Sequence, residues 1–201
     1  RRQRQMCIRD RLLSLWVDYV YLDGDERTNL AKESHEYLIE QVQHTGGESI
    51  AASASSKNVT LTFNHPVKAL FWTAPGDSLS NAKLQLNGHD RAAEQPHDYY
   101  HLVQPYECGL GHSGKSLTAS TRVWGKVGTG GDVGMYSFCL KPAEHQPSGT
   151  CNFSRIDNAT LQLVLTNASV QGTTTAKVRV YATNYNVLRI MSGMGGLAYS
   201  N

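Results

Sequence analysis

AKVRVYATNYNVLRIMSG, residues 176 to 193, places Val178 and Val180 on one side of an extended chain and Lys177, Arg179 and Tyr181 on the other. Side chains alternate across a strand and recur every 3.6 residues on a helix, so a period of two reads as strand. Upstream, LQLVLT (161–166) turns Leu161, Leu163 and Leu165 to one side, and MYSFCLKP (135–142) reads as a further strand. In NVTLTFNHPVKALFWTA (58–74), Leu61 and Phe63 alternate with Thr60 and Thr62. Pro66 cannot donate to a ladder, which predicts two strands, or one bent strand at a sheet edge. Beyond it, Val67, Ala69 and Phe71 share one face and Leu70 and Trp72 the other. Apolar residues on both faces predict cover from something besides one sandwich core. KLQLNGH (83–89) is a short strand with a turn at Asn87-Gly88. EYLIEQVQ (36–43) is another strand, and GGESIAASASSKN (46–58) a low-complexity loop. Residues 74 to 134 are rich in loop signals. Strands separated by long loops, with hardly any helix, predict an all-β antiparallel sandwich of the jelly-roll kind.

The chain of 201 residues suits one domain, or one domain and a piece of another. With 40% hydrophobic residues, ten Tyr and three Trp, it can bury a core. No run of eighteen apolar residues occurs that would cross a membrane as a helix. The first eleven residues, RRQRQMCIRDR, hold five Arg and one Asp and are unlike the rest. They have the form of a translated transposase-type sequencing adapter, and residues 1–11 are set aside as such a scar. Without them the chain holds 14 basic and 16 acidic residues instead of 19 and 17. The apparent basicity disappears, and with it the compositional case for a nucleic-acid surface.

LWVDYVYLD (15–23) alternates with apolar residues on both sides: Leu15, Val17, Tyr19 and Tyr21 against Trp16, Val20 and Leu22. A strand with no hairpin partner before it cannot satisfy its backbone, so the expectation is a protein that extends upstream. In DGDERTNLAKESHE (23–36), Asp23 or Asp25 can cap a short helix carrying Glu26, Arg27, Leu30 and Ala31. This polar stretch reads as a linker.

Chemistry-bearing patterns are few. The glycines between Gly125 and Gly134 are followed by a strand and lack the helix N-terminus a phosphate loop requires. No H-x-H occurs; His97 and His101 are four apart in a segment without a clear helical pattern, and His65, His89, His112 and His145 adjoin turns. They read as loop histidines, not metal ligands. GHSGKS around Ser113 lacks the spacing of a nucleophile elbow. Cys7, Cys108, Cys139 and Cys151 form no CxxC and read as small apolar residues. Four sequons stand at Asn58, Asn152, Asn158 and Asn167, and carry glycans only in a secretory compartment. No catalytic residue, metal ligand or cofactor is expected.

Four segments carry a resemblance: SLWVDYVYLDGDER (14–27), HEYLIEQVQ (35–43), YSFCLKPAEHQPSGTCNFSRIDNATLQL (136–163) and YATNYNVLRIMSGMGGLAYSN (181–201). Together they resemble the major capsid proteins of nucleocytoplasmic large DNA viruses, the algal-virus and iridovirus-like kind. The third segment is the most specific; residues 75 to 133 resemble the family least. The resemblance implies two tandem jelly rolls joined by a linker, with three copies forming a pseudo-hexagonal capsomer. On that reading residues 12–22 are the last strand of a first jelly roll, 23–35 the linker, and 36–201 the second jelly roll. It also implies a structural family motif of Pro147, Ser148, Gly149, Asn152, Phe153, Ser154, Arg155 and Asp157, read as a turn and strand with Arg155 and Asp157 on one face. The implied partners are identical subunits in a homotrimer, neighbouring capsomers and minor capsid proteins, with glycans on outer loops and no direct nucleic-acid contact. The implied location is the virion, assembled in the infected cell's cytoplasm. The alternative is a lectin-like jelly roll stacking sugars on Tyr99, Tyr100, Trp124 and Tyr136, because fold alone does not separate the two.

Overall fold

The computed structural model describes residues 18–51, 54–74, 79–110, 133–165 and 176–200. It is organised around one strand, β10 (Ala176–Met191), whose sixteen residues pair along both edges. On one edge run β1 (His35–His44) and the short β2 (Glu48–Ile50). On the other run β4 (Pro66–Thr73) and β11 (Met194–Leu197). With β7 (Val133–Ser137) and β8 (Cys151–Asn152) they make a seven-stranded sheet whose main order is β1-β10-β4-β7. The second sheet has the order β3-β9-β5-β6, from β3 (Ser56–Thr60), β5 (Leu79–Leu86), β6 (His89–Pro96) and β9 (Ala159–Leu165). All pairings are antiparallel. The chain passes β1 to β3 to β4 to β5 by changing sheet each time, and returns through β7, β9 and β10 in the same way. That winding is the jelly roll expected from the sequence.

The core lies between the sheets. β9 contributes Leu161, Leu163 and Leu165, as its alternation predicts; β5 contributes Ala82 and Leu84; and β10 contributes Val178, Val180 and Ala182. Each buried aliphatic side chain of this size stabilises by roughly 1.5–3 kcal/mol relative to exposure. Asn87 and Gly88 both have positive φ and close the β5–β6 hairpin, as an Asn-Gly turn should.

Three readings need correction. Pro66 opens β4, where its missing N–H is tolerated, so the stretch is two strands, β3 and β4, as the first alternative has it; the bent edge strand fails, because β4 lies between β10 and β7. The pairing shifts between Thr183 and Asn184, so that Lys68 is an extra residue bulged between Val67 and Ala69. The bulge lets Val67 join Leu70 and Trp72 in the core, where strict alternation had set it opposite them. Finally, MYSFCLKP stops being strand at Ser137. There the Ser137 Oγ donates to the Cys139 carbonyl (2.6 Å) and accepts from the Cys139 N–H (3.2 Å), a local turn that competes with the ladder.

The bulged Lys68 is 1% exposed on the side of β4 away from the core. Its ammonium donates to Glu40 Oε1 (2.6 Å) and to the Glu144 carbonyl (3.1 Å), and sits 5.0 Å from the Tyr185 ring centroid. Burial works to lower its pKa, but Glu40 and then Tyr185 outweigh burial and hold it above the usual lysine value. Through this contact the connection that follows β7 is fastened over the outer face of the sheet, the further cover that the two apolar faces of β4 called for.

Gly134 of β7 faces the Trp72 indole so closely that a Cβ would overlap the ring. Gly134→Ala should therefore destabilise the fold by about 1–3 kcal/mol, as overpacking does. Gly24, with nothing within 4 Å of such a Cβ, serves as control. Equal urea midpoints for Gly134→Ala and Gly24→Ala would contradict this packing.

Candidate functional site

The segment from Pro147 to Asp157 folds into a strap against β4 and two loops of the sandwich. Its first part turns: Ser148 Oγ accepts from the Lys141 N–H (2.9 Å), and Gly149 has φ +142°, with space for a Cβ closed by the Phe138 carbonyl. Pro147 is exposed. β8 then pairs Cys151 and Asn152 with Val67 and Pro66. Asn152 caps a 3-10 turn, Phe153–Arg155, by accepting from the Ser154 N–H (3.1 Å). Phe153 is buried edge-on against Phe63 and Phe138, at 6.1 and 5.7 Å.

Ser154 and Asp157 tie the strap to two other loops. His65, strained at φ +66°, donates its N–H to Ser154 Oγ (2.9 Å) and accepts from the Phe153 N–H (3.1 Å). The Asn87 side chain accepts from the N–H groups of Asp157 and Asn158, at 3.0 and 3.2 Å. Thus one segment holds both the β3–β4 connection and the β5–β6 hairpin. Arg155 and Asp157 are exposed, and the 3-10 turn removes the shared strand face expected for them. The turn forms because the Asn152 side chain accepts from the Ser154 N–H, a local cap that a period-two reading cannot register.

A second feature lies at the base, where β10 and β11 project as a hairpin closed by Ser192 and Gly193, both at positive φ. Asp23 accepts from the Gly24 N–H (2.8 Å) and caps α1 (Gly24–Lys32), the linker helix expected here. α1 buries no residue completely. Between α1, the hairpin and the segment before Asp23 lies an open cleft of about 500 Å³, lined by Val20, Tyr21, Leu22, Leu30 and Ile190 among others. Val20 and Tyr21 are 83% and 91% exposed, and Met194 is 74% exposed. So many large apolar side chains in one region mark a contact surface. The strand expected at residues 12–22 lies outside the described residues as far as Val17; Asp18–Leu22 form no ladder.

The histidine reading also changes. Tyr99–Val103 form a π turn running into α2 (Gln104–Glu107), which stacks the His97 and His101 rings with centroids 6.0 Å apart. Both are buried, and His101 keeps a hydrogen bond of the kind a loop histidine makes, with Nδ1 2.8 Å from the Val133 carbonyl. Burial, and then His101, push His97 down to about 4. Among the described residues no group of three or more His, Cys, Asp or Glu is placed to hold a metal ion. Tyr100 is buried edge-on against Trp72 (5.2 Å), which withdraws it from the sugar platform considered above. Trp124, His112, Ser113, Asn167 and the glycines before Val133 lie outside the described residues.

Known proteins are similar to this chain in both sequence and fold. The family described as large eukaryotic DNA virus major capsid protein matches residues 26–75 and 73–196. The major capsid protein of Pyramimonas orientalis virus is 53% identical over 206 residues, covering 94% of this chain and 49% of that protein. That of Paramecium bursaria Chlorella virus 1 is 40% identical over 252 residues, covering 94% and 54%. A quasi-atomic structure of the PBCV-1 virus capsid superposes with TM-score 0.71 at 38% identity, covering 91% of this chain and 56% of that one. The Faustovirus major capsid protein shares the fold at TM-score 0.55 and 11% identity. This chain belongs to the family of major capsid proteins of large eukaryotic DNA viruses. It spans about half the length of the curated relatives it matches.

The strap assigns unequal weights to its residues. Phe153→Ala should cost about 3–5 kcal/mol, Ser154→Ala about 0.5–1.5 kcal/mol through the lost hydrogen bond from the His65 N–H, and Arg155→Ala within about 0.5 kcal/mol of zero. Equilibrium unfolding of the three variants checks the order; an Arg155→Ala loss as large as that of Phe153→Ala would contradict it.

Proposed function

We propose that the chain is the second jelly roll of a major capsid protein and builds the icosahedral shell of a large double-stranded DNA virus. Its assembled form is a trimeric, pseudo-hexagonal capsomer, in contact with neighbouring capsomers and minor capsid proteins. Its place is the virion, after assembly in the cytoplasm of the infected cell, with outer loops free to carry glycans. Residues 12–22 belong to the first jelly roll on this reading and 23–35 link the two.

The observation that carries the proposal is the base. Val20, Tyr21, Leu22, Leu30 and Ile190 line a cleft that stays open to solvent in this chain, while the relatives are about twice as long. A first jelly roll seated there would remove this apolar area from water, at about 25 cal/mol per Å². It would also pair the backbone of residues 18–22, which form no ladder among the described residues. Closing a ring of subunits needs a complementary contact on every copy. A chain of about half the relatives' length offers only part of the contacts such a ring needs. The lectin-like alternative is not favoured, because Tyr100 spends its ring on the core.

Sedimentation of two proteins tests this. The chain extended upstream from its own gene to the length of its relatives should sediment as a discrete trimer. The 201-residue chain should be monomeric or associate without fixed size. A monomeric extended chain, or a discrete trimer of the 201-residue chain, would contradict the proposal.

A further inference from the structure

We infer that His97 makes the helical segment from His97 to Glu107 an acid-opened latch, held against β7 while the His97 ring is neutral and released when that ring takes up a proton. The segment runs through the π turn into α2 and is fastened at three places. The Tyr100 ring lies edge-on to Trp72 (5.2 Å), His101 Nδ1 is 2.8 Å from the Val133 carbonyl, and Gln104 Oε1 accepts from the Ser137 N–H (3.4 Å). His97 stands at its start, 5% exposed, with its ring stacked on that of His101, which is 3% exposed. Neither ring nitrogen of His97 has a hydrogen-bond partner, and neither has Nε2 of His101. A neutral imidazole so placed leaves one donor and one acceptor unmade, whereas an imidazolium carries two donors and a full charge. A buried charge without acceptors is costly. The ring therefore has to reach water to take up the proton, and its stacked place on His101 does not survive the move.

The charges around the ring do not offset that cost. His101 opposes protonation of His97, and Asp98, exposed on the same turn, favours it to a smaller extent. Strands β6 and β7 and helix α2 pack against the π turn. On β6 the titratable groups are His89, Asp90, Arg91 and Glu94, all exposed, with Asp90 held by Lys83 and Glu94 by Asn81. On β7 there is Tyr136, and on α2 Tyr106 and Glu107, with Cys108 just beyond; burial pushes both the Tyr136 hydroxyl and the Cys108 thiol up, and Glu107 accepts from Gln104 (3.4 Å). Lys68 of β4 is engaged with Glu40. None of these groups bonds to His97. Burial and then His101 hold the closed ring down to about 4, whereas a hydrated ring titrates at about 6.5. Between those values the open form binds more protons, so the stability of the closed latch is fullest above the upper value and is lost as pH falls toward the lower.

The test is amide hydrogen exchange of the 201-residue chain at pH 7 and pH 5, with rates corrected for the chemical pH dependence of exchange. Amides between Tyr100 and Glu107 should lose protection about tenfold at pH 5, while those of β9 and β10 keep theirs. His97→Leu and His97→Gln remove the titrating ring and should leave the segment equally protected at both pH values. Slow exchange of β9 at pH 7 shows that a variant folds, and either variant suffices. Equal protection of the segment at both pH values in the unsubstituted chain would overturn the inference. So would a loss at pH 5 that persists in the folded variants, or one spread evenly over the strands of the sandwich.

Discussion

Strand β10 is the constraint on which the rest depends. It is hydrogen-bonded along both edges, to β1 and β2 on one side and to β4 and β11 on the other. A strand flanked on both sides cannot slip by one residue without moving Val178, Val180 and Ala182 out of the core and breaking both ladders. Its first half shares the apolar core with β9. Its second half leaves the apolar core and changes character: Asn184 and Asn186 are buried but fully engaged, with Gln43, with Gln41 and with the Tyr199 carbonyl. Buried amides of this kind are tolerated because every polar atom finds a partner. The same strand then projects beyond the sandwich and carries the base.

This explains what could be read from the residues. Wherever a strand has one core face, the sequence alternates, and β9, β10 and the Asn87-Gly88 turn were legible from that alone. The helix cap at Asp23 was legible because a capping side chain acts within its own turn. β6 was not, since HDRAAEQP is an exposed edge strand with no apolar face to signal it. The π turn at Tyr99–Val103 escaped for a related reason. Its burial of Tyr100 and His101 depends on Trp72 and Val133, which are distant in sequence. The Lys68 bulge is equally non-local, because nothing near Lys68 announces Glu40.

The candidate site divides the same way. The strap was recognised as a string of residues, and Phe153 and Ser154 justify the string physically. Arg155, its most conspicuous charge, does not: it faces solvent while the neighbouring serine and asparagine do the fastening. The base was legible as apolar residues lacking a partner, and the structure adds the cleft they line. Strap and base lie at different places on one rigid sandwich. One fixes the β3–β4 connection and the β5–β6 hairpin, and the other exposes apolar area to solvent.

Hydrogen exchange compared between the 201-residue chain and the relative-length protein in assembled particles addresses the central claim most directly. Amides of β4, β9 and residues 178–184 of β10 should exchange slowest and alike in both, since their ladders and core face are supplied within this chain. Amides of Asp18–Leu22, α1 and the β10–β11 hairpin should exchange quickly here and become protected by at least tenfold in the particle. Unchanged exchange at the base with new protection elsewhere would contradict the account.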